Sequence, residues 1–272
     1  MSNSVLTFGW AGLLGLMIGS FLNVVIYRLP LMMQAQWDAA NHEASAPKWS
    51  FNLAVPRSHC PQCQHPLGWR ENIPVLSFMA LRGQCAHCRA PIPWRYPVVE
   101  LITAGLFMAV VSRYGWSIQA MAWAGFAAAL VTLAAIDAAT HLLPDAITQP
   151  LVWSGLLAAH LGLSDLGLGD ALWGAVAGYL FLWWVYWLFK GVTGKDGMGQ
   201  GDFKLLAALG AWLGWPALLS LVLIASLTGV LGGLALKLRG QLSDNGELAF
   251  GPYLVFAGLW VMNFGPLPWF WI

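Results

Sequence analysis

The run LLSLVLIASLTGVLGGLAL at 218–236 carries no charged residue. As a helix it would reach about 28 Å, close to the ~30 Å hydrocarbon thickness of a bilayer. A chain built from several such runs folds in lipid. Residue usage agrees: 58% of the chain is apolar and 9% is charged, against roughly 25% charged in soluble domains. So few charges cannot coat a soluble globule. The runs are continuous and do not alternate, which argues against a transmembrane β-barrel. The chain has 17 tryptophans, many near the ends of runs, as expected of rings held at the headgroup level. The fold class expected is an all-α polytopic membrane protein of about eight transmembrane helices with a small loop domain outside the membrane.

The expected spans are 5–27, 98–112, 117–137, 147–163, 170–189, 203–215, 217–236 and 252–272. The sixth is short, and Trp215-Pro216 marks its turn, since proline ends a helix at the preceding residue. The first run reads as a retained span, because LPLMM after it lacks the small residues of a cleavage site. With eight spans, every Lys and Arg except Arg113 falls on one side. The positive-inside rule makes that side cytoplasmic and puts both termini outside. The chain then divides into a first helix (1–27), a cytoplasmic loop domain (28–97) and a membrane core (98–272). The net charge of +1 says little about partners. Membrane lipid is expected and nucleic acid is not.

Within the loop, 31–50 has no clear pattern and reads as a mobile stretch. All four cysteines of the chain follow, as Cys60-x-x-Cys63 and Cys85-x-x-Cys88. Two thiolate pairs complete a tetrahedral Zn²⁺ shell, and a closed four-thiolate site is structural because it leaves no open position for chemistry. His59, His65 and His87 are alternative ligands that a full cysteine set makes unnecessary. Two disulfides or a thiol redox centre are the rival readings, and a reducing cytoplasm disfavours the disulfides.

Acids at the edge of a span are costly and call for a reason. Asp137 ends the third span and Asp202 opens the sixth, in GMGQGDFK (197–204). The topology puts both at the cytoplasmic ends of their helices. If those helices pack together, the two carboxyls share a proton, because neighbouring carboxylates do not both ionise easily. The ionised member then takes a proton from water and the protonated member polarises a scissile carbonyl. Neither role is assigned to a residue in the free enzyme. Gly197, Gly199 and Gly201 let the backbone turn sharply and approach a bound peptide. Lys204 either orients a carboxylate or reaches a phosphate headgroup. The plain alternatives are helix caps and ion pairs: an N-cap for Asp202, a polar span end for Asp137, and an N-cap for Asp145 in LPDAI.

These motifs together resemble the type IV prepilin peptidases, the leader peptidase/N-methyltransferases of pilus assembly and type II secretion. The resemblance runs through GSFLNVVIYRLP (19–30), the cysteine pairs with GWRENIPVLSFMALRGQC (68–85), RYPVVELITA (95–104), IDAATHLLPD (136–145) and GMGQGDFKLLAALGAWLG (197–214). It implies an aspartic endopeptidase with Asp137 and Asp202 as the catalytic pair, and Asp145 as a secondary acid. It implies one structural zinc on Cys60, Cys63, Cys85 and Cys88. It implies a bacterial inner membrane location with the active site facing the cytoplasm, and prepilin or pseudopilin substrates. After cleavage, the family methylates the new N-terminal residue with S-adenosylmethionine. No Gly-rich loop announces a site for that donor. By resemblance alone the region 28–97 and its adjoining helix ends is the candidate, and Glu71 and Glu100 there are read first as ion-pair partners of Arg70 or Arg95. Two small departures, RGQC and GDFK, remove no functional side chain.

Three rival readings stand beside this one. A presenilin-like intramembrane aspartyl protease shares Gly-x-Gly-Asp but is disfavoured by the cysteine loop. A proton-coupled transporter is disfavoured by acids at span ends and by the lack of an internal repeat. A non-catalytic zinc scaffold is the third.

Overall fold

A computed structural model describes residues 2–41, 51–195, 197–240 and 248–268. Every long element in it is a helix: α1 (Ser2–Asn41), α3 (Arg95–Tyr114), α4 (Ile118–Thr140), α5 (Asp145–His160), α6 (Leu168–Thr193), α7 (Gln200–Leu213), α8 (Leu218–Leu238) and α9 (Gly251–Phe264), with a short α2 (Leu76–Ala80) in the loop region. One helix stands at each of the eight expected spans. The helices at Leu6–Ala40, Arg95–Tyr114, Ile118–Thr140, Leu168–Thr193 and Trp215–Leu238 are long and apolar enough to cross a membrane. The helices α5, α7 and α9 have 16, 14 and 14 residues, so at 1.5 Å per residue they reach only about 21–24 Å.

Residues 31–41 depart from the sequence reading. They extend α1 without a break through Pro30, and LMMQAQWDAAN owes this to its leucine, methionine, glutamine and alanine, all good helix formers. Lys48 and the rest of 42–50 lie outside the described residues, as do 269–272 of the expected last span.

The chain forms two compact units, Met1–Thr132 and Leu133–Ile272. In the first, α1 packs on α3. The contact is backbone to backbone: a Cβ at Gly15 would sit 2.6 Å from Ala104 Cα, and one at Gly19 would sit 2.7 Å from Glu100 Cα. Small residues spaced by four are how lipid-embedded helices approach closely, since burial supplies no hydrophobic drive there. This packing fixes the start of α3 beside residues 19–28 of α1.

The second unit uses the same device. Gly174 of α6 and Gly210 of α7 meet through each other's carbonyls, and a Cβ at Gly178 would lie 2.7 Å from Leu206 O. On the other flank of α7, Trp212 Nε1 donates to Leu151 O of α5 at 2.9 Å. Asp202, Phe203 and all of 205–212 are buried. A helix hidden all round is a core helix, and α7 can therefore be short. Its first turn carries Asp202 into the interior of this unit.

Candidate aspartyl site and four-cysteine centre

Asp137 sits in the last turn of α4 and Asp202 in the first turn of α7. Both belong to the second unit, and both are buried, at 5% and 7% exposure. They are near enough for the charge of one to act on the other. Their environments differ. The backbone N–H of Gly251, the first residue of α9, donates to Asp137 Oδ2 at 3.0 Å. A helix N-terminus favours negative charge through its free N–H groups and its dipole. Asp202 Oδ1 is buried with no partner among the described residues. An orphan carboxyl oxygen deep in a protein is costly.

The capping alternatives fare differently. The N-cap of α7 is Gly199, not Asp202; the Asp202 carboxyl, three residues on, accepts the backbone N–H of Gly199. Pro144, not Asp145, is the N-cap of α5. Asp145 instead takes Lys204 Nζ on both carboxyl oxygens, at 2.6 and 2.7 Å, and Gln149 Nε2 adds a longer bond at 3.4 Å. Lys204 therefore orients a carboxylate, and that carboxylate is Asp145. The glycines before Asp202 act through space more than through turning. Gly199 has an ordinary extended φ of −74°. A Cβ at Gly197 would lie 2.5 Å from the Phe189 ring, and one at Gly201 would lie 2.7 Å from Leu143 Cβ. Among the described residues of this connection, Gly194 is left-handed, at φ +70°.

Gly251 was not legible as a site residue. Its donor is a backbone N–H, which leaves no side-chain signature, and it lies 114 positions from Asp137. The one available signal is Gly251-Pro252 opening an apolar run, since proline just inside a helix start marks an N-terminus.

In the first unit the four thiols meet. The Sγ atoms of Cys60, Cys63, Cys85 and Cys88 all lie within 4.8 Å of one another. Cys60 and Cys88 are 3.8 Å apart, and Cys63 and Cys85 are 4.0 Å apart. Zn–S bonds of about 2.3 Å at tetrahedral angles put sulfurs about 3.8 Å apart, whereas a disulfide would bring them to about 2.05 Å. The donor set fits a single tetrahedral metal. Each pair rides on the same turn. Cys60 N–H donates to His65 O and Gln64 N–H to Cys60 O, both at 2.9 Å; Cys85 N–H donates to Ala90 O at 2.9 Å and Arg89 N–H to Cys85 O at 3.0 Å. Gln64 and Arg89 hold matching left-handed φ values of 58° and 59°. His65 and His87 stack at 5.0 Å and stand outside the cluster. Backbone N–H groups of Cys88 and His87 draw the Cys85 thiol down to about 6. His65's backbone lowers Cys63, but desolvation and the neighbouring sulfurs outweigh it and push that thiol up to about 12.

Comparison with known proteins agrees with this geometry. Residues 13–114 match the bacterial peptidase A24 N-terminal domain, and residues 123–234 match the type IV leader peptidase family. The chain belongs to the type IV leader peptidase family. It is similar to a prepilin leader peptidase/N-methyltransferase of Aeromonas hydrophila, 50% identical over 94% of this chain and 90% of that one. A relative of the same description in Pseudomonas aeruginosa is 51% identical over 92% of this chain and 87% of its own. A third, in Burkholderia pseudomallei, is 47% identical over 94% and 85%. No solved structure matches the chain. Both halves of this chain thus fall within one family, and each half carries one of the two side-chain clusters.

Proposed function

We propose that this chain is an aspartic endopeptidase that removes the leader from type IV prepilins or type II secretion pseudopilins and then N-methylates the new N-terminal residue. The observation that carries the first activity is the buried Asp137–Asp202 pair, with one oxygen held by Gly251 and another left without a partner. One carboxylate takes a proton from water, and the resulting hydroxide attacks the scissile carbonyl carbon. The protonated partner donates to the carbonyl oxygen, giving a gem-diol; as the C–N bond breaks, the leaving amine takes a proton from the pair and one gem-diol hydroxyl returns its proton to it, leaving a carboxylic acid and the pair with its single shared proton. This chemistry needs no metal and no covalent intermediate. Asp137 and Asp202 are the catalytic residues, and Gly197, Gly199, Gly201 and Lys204 form the loop and helix start that hold Asp202 in place.

A prepilin has a basic leader in the cytoplasm and an apolar helix in the bilayer, so its cleavage point lies at the cytoplasmic membrane surface. The basic-residue distribution supports the matching orientation of the enzyme: eight spans in the bacterial inner membrane, with the acids of the 98–272 protease core opening to the cytoplasm. Cys60, Cys63, Cys85 and Cys88 hold one structural Zn²⁺ in the 28–97 domain, and S-adenosylmethionine supplies the methyl group.

The test is leader removal from a prepilin by the detergent-purified protein, followed by mass. Asp137→Asn and Asp202→Asn keep side-chain size but cannot share a proton, and both are expected to be folded and inactive. Cleavage at the wild-type rate by either variant would remove that aspartate from the dyad. A further gain of about 14 Da on the cut product, for one CH₂, reports the methyl transfer separately.

A further inference from the structure

The first unit contains a cavity of about 410 Å³ between residues 20–28 of α1, the cysteine turns and the start of α3. That volume falls in the ~300–1,000 Å³ range of pockets for small organic ligands. Three polar groups on its wall are incompletely matched. Glu100 is 6% exposed. Its Oε2 accepts the Val75 N–H at 2.7 Å, and Ser20 supplies a second neutral donor. No base pairs with it among the described residues. Asn23 is 2% exposed; its Nδ2 donates to Gly19 O and Tyr96 O, and its Oδ1 has no partner. Arg95 Nε is likewise buried and unpartnered.

The other arginine on the wall is committed elsewhere. Arg28 gives Nη1 to Asn52 O and Leu53 O and Nη2 to Pro56 O, so it does not neutralise Glu100. Val75 reinforces the point. A β-branched residue at φ +60° is an outlier for its type, and here the strained turn aims an N–H at the Glu100 carboxylate. A buried carboxylate fixed by neutral donors alone lacks a countercharge. The cavity is thus built for a molecule that brings a cation to Glu100, an anion to Arg95 and a hydrogen-bond donor to Asn23.

We propose that this cavity binds the methyl donor, with the Glu100 carboxylate as countercharge to its sulfonium and Arg95 facing its carboxylate. The proposal rests on the methyltransferase half of the function proposed above. S-adenosylmethionine carries both charges, and its amino groups supply donors. When the methyl group leaves, the electron pair of the broken C–S bond stays on sulfur, and the product is a neutral thioether. Glu100 therefore discriminates donor from product, which favours release after transfer. Cys60 and Cys85 also line the cavity, so the metal cluster would form part of its wall.

The experiment is calorimetric titration of the detergent-purified full chain with S-adenosylmethionine and, separately, S-adenosylhomocysteine, without peptide. Glu100→Gln keeps the shape and an oxygen for the Val75 N–H but removes the charge. It is expected to weaken donor binding about thirtyfold or more and to leave product affinity within about threefold. A merely structural role would weaken both alike. Val24→Trp, filling the cavity from α1, is expected to abolish binding of both. Equal losses for donor and product in Glu100→Gln, no loss at all, or undiminished binding in Val24→Trp would overturn the site. If the wild-type chain binds neither compound and adds no methyl group, the methyltransferase reading itself falls.

Discussion

Replacing Gly251 with alanine separates the demands of the fold from those of the aspartyl site. Gly251 lies in the first turn of α9 without a left-handed φ, so its own backbone accepts alanine, a better helix former. What alanine meets is the side chain of Asp137, proposed above as catalytic. Its Cβ would fall 2.6 Å from Asp137 Oδ2 and 3.0 Å from Asp137 Cγ, distances that real Cβ atoms do not hold. Either the carboxyl or the start of α9 must move, and the 3.0 Å bond from Gly251 N–H to Asp137 Oδ2 is lost or stretched. A hydrogen bond to a charged group contributes about 1.5–3 kcal/mol. If that bond holds Asp137 in its reactive position, its loss lowers the cleavage rate about 10- to 150-fold.

The assay is initial-rate leader removal from a prepilin, read by mass, beside a thermal melt of the same preparation. The Tm is expected to stay within about 4 °C, because the displaced group is one side chain at a helix end. Gly105→Ala is the control, since a Cβ there meets nothing within 4 Å. A Gly251→Ala rate within about twofold of wild type, with the melt unchanged, would refute the positioning of Asp137 by α9. The expected signature is a folded protein that cuts slowly.

Asp202→Asn is expected to raise Tm while abolishing cleavage, because a buried amide is less costly than a carboxyl with an unpartnered oxygen; a lower Tm would mean that Oδ1 has a partner in the folded protein. Thiol labelling checks the metal: maleimide should modify the four cysteines slowly in the purified protein and rapidly after chelation, and fast labelling before chelation would deny a bound metal. Gly174→Ala is expected to destabilise by about 1–3 kcal/mol or more through its contact with the Gly210 carbonyl, whereas Gly105→Ala should be neutral in the same melt; equal effects would mean that α6 and α7 do not meet backbone to backbone.

Much of this molecule was legible because lipid makes side-chain chemistry conspicuous. Asp137 and Asp202 stand out against apolar helices, and four cysteines in two pairs announce a tetrahedral donor set. The eight helices follow from the apolar runs. The misses have a common physical cause. The extension of α1 through 31–41 was hidden because a polar helix of good formers lacks the apolar run used to find spans. The roles of Gly197 and Gly201 were misjudged because sequence reports a glycine's freedom but not the Phe189 ring or Leu143 side chain that fills its missing Cβ. The sequence left Lys204 between a carboxylate and a headgroup, and its pairing with Asp145 depends on α5 and α7 packing side by side.

The two proposed acid sites also differ in a way that suits the separate activities. At Asp137 and Asp202 the charge of one carboxyl acts on the other, which suits the proposed sharing of a proton and activation of water. At Glu100 the protein isolates one carboxylate among neutral donors, which suits a ligand that brings a positive charge. Peptide hydrolysis needs proton exchange and no net charge in the substrate bond. Methyl transfer from a sulfonium starts with a cation and ends with a neutral thioether, so a lone carboxylate favours the loaded donor over the spent one. Each arrangement suits its own reaction and would serve the other poorly. The two proposed acid sites accordingly lie in different compact units of the chain, Glu100 in the first and Asp137 and Asp202 in the second.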